Sequence, residues 1–242
     1  MSKGARRRVV RRVLLASFGV LAFAAFVLVW QPLWAYDVLA RTFPRFLWRV
    51  DTRQPLVALS FDDGPAPDHT PQVLDILARY DAHATFFLIG NRVVAHPATV
   101  ERIRAGGHEV ANHHYTLRST LRMTDAEFLD GLRDTESALK LAGPTKLFRP
   151  PGGRIRTRQL DEAIRQGYTC VLGSAYPFDG QRPPAAYIRW VASKNLAPGT
   201  IVILHDGIAD PSRSIAALPA ILEAGRRKGL RFVSIGTLLG SR

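Results

Sequence analysis

Leu56-Val57-Ala58-Leu59-Ser60-Phe61-Asp62-Asp63-Gly64-Pro65 is the stretch that decides how this chain is read. The apolar run Leu56–Leu59 reads as a buried strand that continues to Phe61. Gly64-Pro65 then breaks the chain. Two adjacent carboxylates, Asp62 and Asp63, therefore stand at the C-terminal mouth of a strand. Parallel α/β folds carry their chemistry at that end. Neighbouring carboxylates repel, and both ionise more readily beside a cation or an arginine. A metal-assisted reaction is the first expectation. Taken alone, the stretch also suits a surface turn with one aspartate capping the next helix.

Outward from this strand, short apolar runs alternate with helical patterns. The predicted strands are Leu56–Phe61, Ala84–Ile89, Glu109–Asn112, Lys146–Arg149, Thr169–Gly173, Thr200–Leu204 and Arg231–Ile235. The predicted helices are Thr70–Tyr80, Pro97–Ala105, Thr124–Ala142, Thr157–Gln166, Ala185–Leu196 and Ser214–Lys228. Thr124-Asp125-Ala126-Glu127 is a capping box at one helix start. Repeated βα units predict an α/β fold with a parallel sheet and helices outside. Periodicity leaves open whether the sheet closes as a small irregular barrel.

The other end of the chain has a different character. Arg6, Arg7, Arg8, Arg11 and Arg12 precede the uncharged run Val13–Trp30. At ~1.5 Å per residue such a helix is about 27 Å long, enough to cross a bilayer. The arginines place the N-terminus in the cytoplasm and everything after Trp30 outside. Trp34 beside Ala35 makes a poor cleavage site, so an uncleaved signal anchor is favoured over a cleaved signal peptide. Residues 35–54 read as a linker lying along the membrane or on the domain. The net charge of +13 is concentrated around the apolar run. That placement fits anionic lipid, and no motif for nucleic acid accompanies it. Cys170 is the sole cysteine, which rules out an intrachain disulfide and a cysteine-based zinc site. It reads as a small buried hydrophobe.

Four further stretches put chemistry-bearing residues at strand ends. Asn112-His113-His114 ends the third strand, and an aspartate with a neutral imidazole makes part of a metal site. Arg149, before Pro150-Pro151-Gly152-Gly153, can hold a carboxylate by a charge-assisted hydrogen bond. Asp179, in Tyr176-Pro177-Phe178-Asp179-Gly180, can orient a histidine or an arginine, although such a sequence is also a common turn. His205 ends the apolar run Ile201–Leu204 at the same mouth as Asp62, a suitable place for a general acid. A glycosidase is disfavoured, because adjacent carboxylates on one strand cannot flank a glycosidic bond.

These five stretches, in this order, resemble the polysaccharide deacetylases of carbohydrate esterase family 4, the NodB-homology domain. Ser60–Pro65 is similar to the family's Thr-Phe-Asp-Asp-Gly-Pro motif. Ala84–Gly90, Gly107–His113, Phe148–Pro151 and Leu204-His205-Asp206 resemble its later motifs. The resemblance spans roughly Pro55 to Leu239. It implies a distorted (β/α)7 barrel preceded by one transmembrane helix. The domain order is then a basic cytoplasmic tail (1–12), a transmembrane signal anchor (13–34), a linker (35–54) and a catalytic domain (55–242). The implied activity is metal-dependent hydrolysis of an N-acetyl group on an amino-sugar glycan of the cell envelope, at a single-pass membrane location. The implied cofactor is a divalent metal ion, zinc foremost. By resemblance Asp62 is the general base, Asp63 and His113 are metal ligands, Arg149 holds the base, His205 is the general acid and Asp179 tunes it. An amide N–H near Gly152 would meet the oxyanion. The family places a second metal histidine four residues after the first, and Leu117 stands there. Gly152 and Gly180 occupy places where the family often has aromatic residues. A catalytically impaired, glycan- or partner-binding relative is the alternative that Leu117 raises.

Overall fold

The computed structural model describes residues 3–141 and 146–241, with side chains of the first helix described from Arg11 on. The side chains of Lys3, Arg6, Arg7 and Arg8, the end of the helix predicted over 124–142, and Arg242 lie outside the described residues.

Eight parallel strands form one sheet: β1 (Phe46–Leu47), β2 (Leu56–Gly64), β3 (Thr85–Leu88), β4 (Glu109–Asn112), β5 (Lys146–Phe148), β6 (Tyr168–Val171), β7 (Ile201–His205) and β8 (Arg231–Val233). Their order is β1-β6-β5-β4-β3-β2-β7, with β8 on β2. Strand β2 is shared along its length, pairing with β8 over Leu56–Ala58 and with β7 over Ala58–Asp62. The sheet curls until the segment after β6 reaches β7 through the parallel bridge Ala175–Val202. The Ala175 N–H donates to the Ile201 carbonyl, and the Ile203 N–H donates to the Ala175 carbonyl. The result is the distorted barrel expected from the sequence, with β1 as an added strand. Phe46-Leu47 is too short to show a period, and it lies in the segment predicted as a linker. That segment rests on the domain. It begins after helix α1 (Lys3–Trp30) with helix α2 (Leu33–Thr42), and β1 comes next.

The strand period of two decides what faces inward. Val57, Leu59 and Phe61 of β2 join the core under the outer helices α3 (Thr70–Arg79), α5 (Pro97–Ala105) and α9 (Ser212–Arg227). Leu56 and Ala58 pack inside the barrel with Phe87, Ala111, Leu147, Val171 and Ile201. Ser60 and Asp62 continue that inner row toward the mouth. The same alternation carries His113, two residues beyond Ala111, and His205, at the end of β7, to the interior. Helix α4 (Gly90–Ala95) comes directly after β3 and is not among the helices expected from the sequence. The remaining helices are α6 (Asp125–Leu139), α7 (Thr157–Arg165), α8 (Ala185–Lys194) and α10 (Ile235–Leu239). The last begins where the sequence predicts strand up to Ile235. Ser234 Oγ accepts a hydrogen bond from the Thr237 N–H, which caps the helix and ends β8 at Val233. Residues 11–30 of α1 have a mean hydropathy of 2.5 and none of them is buried, so this helix is long and apolar enough to cross a membrane.

Candidate active site

Asp62 and His205 are register partners on adjoining strands, so their side chains leave the sheet side by side at one mouth. Each has its own buried partner. Arg149, just after β5, donates from Nη1 to Asp62 Oδ1 at 2.5 Å and to Ser60 Oγ at 2.9 Å. Its Nε donates to the Val171 carbonyl, and the guanidinium lies over the Phe87 ring with its carbon 4.0 Å from the centroid. Ser60, the residue that departs from the threonine of the family motif, also donates to the Val202 carbonyl at 2.8 Å. Asp62 and Arg149 are 4% and 3% exposed, so the pair is held away from solvent screening. Removing one partner of a buried pair leaves an uncompensated charge and costs ~3–5 kcal/mol.

On the other side, Asp179 Oδ1 faces His205 Nδ1 at 2.9 Å, while its Oδ2 accepts from the His205 N–H at 2.7 Å and from Ser214 Oγ at 2.7 Å. Burial by itself opposes charge on His205, but the Asp179 carboxylate outweighs it, helped by Asp62 and Asp63, and raises the imidazole to about 9. With Nδ1 committed to Asp179, Nε2 is the nitrogen left for chemistry. A Cβ on Gly180 would lie in ordinary van der Waals contact with this ring, 3.4 Å from His205 Cε1.

Asp63 turns away from Asp62 because its backbone is left-handed, with φ of 70°. Arg92 of α4 holds that turn, donating from Nη1 to the Asp63 carbonyl at 2.6 Å and to the Gly207 carbonyl at 2.5 Å. Gly207 packs so close that a Cβ there would lie 2.0 Å from the Asp63 carbonyl oxygen. The Asp63 carboxylate meets His113, with Oδ1 3.2 Å from Nε2. His113 Nδ1 donates to the Arg149 carbonyl at 2.6 Å, which leaves the Nε2 lone pair facing the carboxylates. Nε2 also lies 4.0 Å from Asp62 Oδ2. Burial opposes charge on Asp63, but the hydrogen bond and charge of His113 outweigh it and hold the carboxyl below its ordinary range.

An imidazole lone pair and two carboxylates that converge in this way require a positive charge between them, a proton or a metal ion. In this respect Asp63 and His113 fit a divalent cation. They are two donors, one fewer than the three protein ligands usual at a catalytic zinc. No group of three histidine, cysteine or acidic residues suited to a metal occurs among the described residues. His114 does not complete the set. Its backbone is left-handed, its ring stacks on Phe128 of α6, and Nε2 lies 3.2 Å from the Phe128 carbonyl. Burial keeps this imidazole neutral by lowering its pKa. Leu117 is 45% exposed.

The geometry thus gathers all six residues singled out in the sequence, Asp62, Asp63, His113, Arg149, Asp179 and His205. Sequence reasoning missed Arg92, because the single turn of helix that carries it is too short to show a period. It also missed the structural part of Asp206. Burial pushes that carboxyl up to about 7, and Thr70 Oγ1 donates to its Oδ2 at 2.5 Å. Cys170 is buried, as expected, with its thiol pushed up to about 12 by burial.

Comparison with known proteins agrees with this geometry. Residues 49–171 match the family model for polysaccharide deacetylase. A peptidoglycan-N-acetylglucosamine deacetylase of Bacillus cereus is 40% identical over 198 residues, covering 79% of this chain and 92% of the relative. The crystal structure of the peptidoglycan N-acetylglucosamine deacetylase Bc1960 superposes with a TM-score of 0.76 at 31% identity, covering 82% of this chain and 94% of that one. BA3943 from Bacillus anthracis, described as a pseudoenzyme of carbohydrate esterase family 4, superposes with a TM-score of 0.71 at 25% identity, covering 79% and 68%. The motif order, the curled sheet and the relatives coincide over the same residues, and the chain belongs to the polysaccharide deacetylase family.

Proposed function

We propose that this protein is a membrane-anchored, metal-dependent N-deacetylase acting on an amino-sugar glycan of the cell envelope. The observation that carries the reading is the pair of buried dyads at one strand mouth, Asp62 with Arg149 and His205 with Asp179. One dyad offers a proton acceptor and the other a proton donor, as amide hydrolysis requires. The Bacillus cereus relative and Bc1960 act on peptidoglycan N-acetylglucosamine, which supports an N-acetylated glycan as substrate.

Asp62 takes the proton of the attacking water at Oδ2, the oxygen that Arg149 leaves unbonded. Arg149 and Ser60 fix the carboxylate during this transfer. The water oxygen bonds to the acetamide carbon, and the carbonyl oxygen becomes an oxyanion. A backbone N–H near Gly152, which lines the cleft, is the proposed partner of this oxyanion. His205 then gives its Nε2 proton to the amine nitrogen. The C–N bond breaks, and acetate leaves with the water's oxygen. Asp179 keeps the imidazole in the donating orientation. A divalent metal, zinc first among candidates, would be held by Asp63 and His113 and would acidify water and polarise the carbonyl.

The apolar segment 13–34, helical as far as Trp30, anchors the chain, with the tail 1–12 inside and the domain outside. The exposed side chains of Phe18 and Leu21, at 72% and 69%, support this placement, since nothing described covers them.

A second reading is favoured by Leu117 and by the likeness to BA3943: a domain that binds glycan without hydrolysing it. Acetate release separates the two. Full-length protein in detergent, given N-acetylglucosamine oligomers and each of zinc, cobalt, nickel and manganese, is expected to liberate acetate with at least one metal. No acetate under any of these conditions would remove the enzymatic reading.

A further inference from the structure

The cleft above Asp62, Arg149 and His205 measures about 420 Å³, and one of its walls comes from the segment that precedes β2. Gly152, Gly153 and Gly173 line it beside Asp62 and Arg149, and the rings of Tyr176 and Phe178 line it on the His205 side. Tyr36 of α2 and Trp48, just after β1, also line it. Their ring centroids are 6.4 Å apart. Both are half-buried. The hydrogen-bond donors of both rings are spent within their own segment. Tyr36 donates its hydroxyl to Gln31 Oε1 at 2.9 Å, and Trp48 Nε1 donates to the Phe43 carbonyl at 3.2 Å. What remains for a ligand is the ring faces and the acceptor lone pairs of the Tyr36 hydroxyl.

The segment that carries these rings is fastened to the barrel. Gln31, 4% exposed, donates from Nε2 to the Tyr176 carbonyl and accepts from the Tyr176 N–H at 3.2 Å. Tyr176 itself stands 5.9 Å from the His205 ring. Arg49 pairs with Asp37 of α2 at 2.8 Å and bridges to Thr200 before β7. Lys194 donates to the Gln31 carbonyl, and Trp30 packs edge-on against Trp190 with centroids 5.1 Å apart. The rings are therefore held in register with the catalytic groups by contacts that begin at the last turn of α1.

The apolar C–H face of a pyranose ring packs on an aromatic face while its hydroxyls stay at the polar edge, the usual division of labour in a ligand cleft. We propose that Tyr36 and Trp48 form a sugar-binding wall, on which the ring next to the acetylated one packs during reaction. The class of ligand, an N-acetylated amino-sugar oligomer, rests on the deacetylase reading. The wall itself rests on the cleft.

The test uses full-length protein in detergent and the N-acetylglucosamine pentamer as probe. Its Kd is measured by calorimetry, and KM and kcat are measured from acetate. Trp48→Ala is expected to raise both Kd and KM about tenfold with kcat within about twofold, a loss equivalent to ~1.4 kcal/mol. Trp48→Phe is expected to recover most of it. Tyr36→Ala, expected to act in the same direction, serves where Trp48→Ala melts early. If the wild type releases acetate but both alanine variants bind the pentamer within twofold of it, the wall is refuted and the deacetylase reading stands. If no acetate is released but binding weakens as stated, the reading fails and the wall stands. A wild type that does not bind the pentamer overturns the wall.

Discussion

Asp62 and Asp63 are neighbours in sequence, and one backbone angle separates their tasks. Asp62 ends the regular strand and points inward to Arg149. Asp63, at φ of 70°, swings to His113. The pairing of Asp62 with Arg149 and of Asp63 with His113 was readable because motif order named the partners. The fate of His114 was not readable, since a ring one residue past a strand end takes its direction from the helix that covers it. At this scale two outcomes are expected. The acid role proposed for His205 needs a protonated ring, and the Asp179 carboxylate outweighs burial to raise its pKa to about 9. Activity should therefore hold up to that pH and fall about tenfold per unit above it. Asp179→Asn removes the main charge that raises the value, so its alkaline limb should move to lower pH in a rate profile. An unmoved limb would contradict the assignment. By linkage, the same group adds stability that is full below the unfolded value of ~6.5 and is lost as pH rises through about 9. The second outcome concerns Leu117. Leu117→His should tighten zinc binding at least ~10-fold in calorimetric titration, because a third protein donor closes the usual set.

Among the elements, β2 carries the most. Its outer residues anchor it to the helices, and its inner residues aim the chemistry. Phe61 is 1% exposed and stacks on Phe86 with centroids 5.2 Å apart, one residue before the base. Phe61→Ala should cost ~3–5 kcal/mol in denaturant unfolding. A loss under ~1 kcal/mol would mean that the outer face of β2 is not what holds the strand. The predicted strands from Leu56 to Leu204 and the capped start of α6 were legible, each having a period, a cap or a breaker. The elements that escaped were α2, ten residues long within the segment read as a linker, and others that are short or set by tertiary contact. Phe46-Leu47 becomes a strand because β6 offers it an edge. Gly90–Ala95 is a single turn and a half, and Ser234 stops β8 by capping α10.

For the whole molecule, the contacts at Gln31, Trp30 and Trp190 set the domain against the end of an apolar helix, which brings the cleft close to the bilayer that the helix is proposed to span. Full-length chain should stay with membranes through an alkaline carbonate wash. Its release into the supernatant would contradict an uncleaved anchor. The central claim is that one buried carboxylate, fixed by Arg149, drives removal of acetyl groups from a glycan. Its most direct test is acetate release from an N-acetylglucosamine oligomer by the wild type and by Asp62→Asn, side by side with oligomer binding. The account predicts that the variant releases acetate at least ~100-fold more slowly while binding the oligomer as before. Equal release by the two proteins would contradict it.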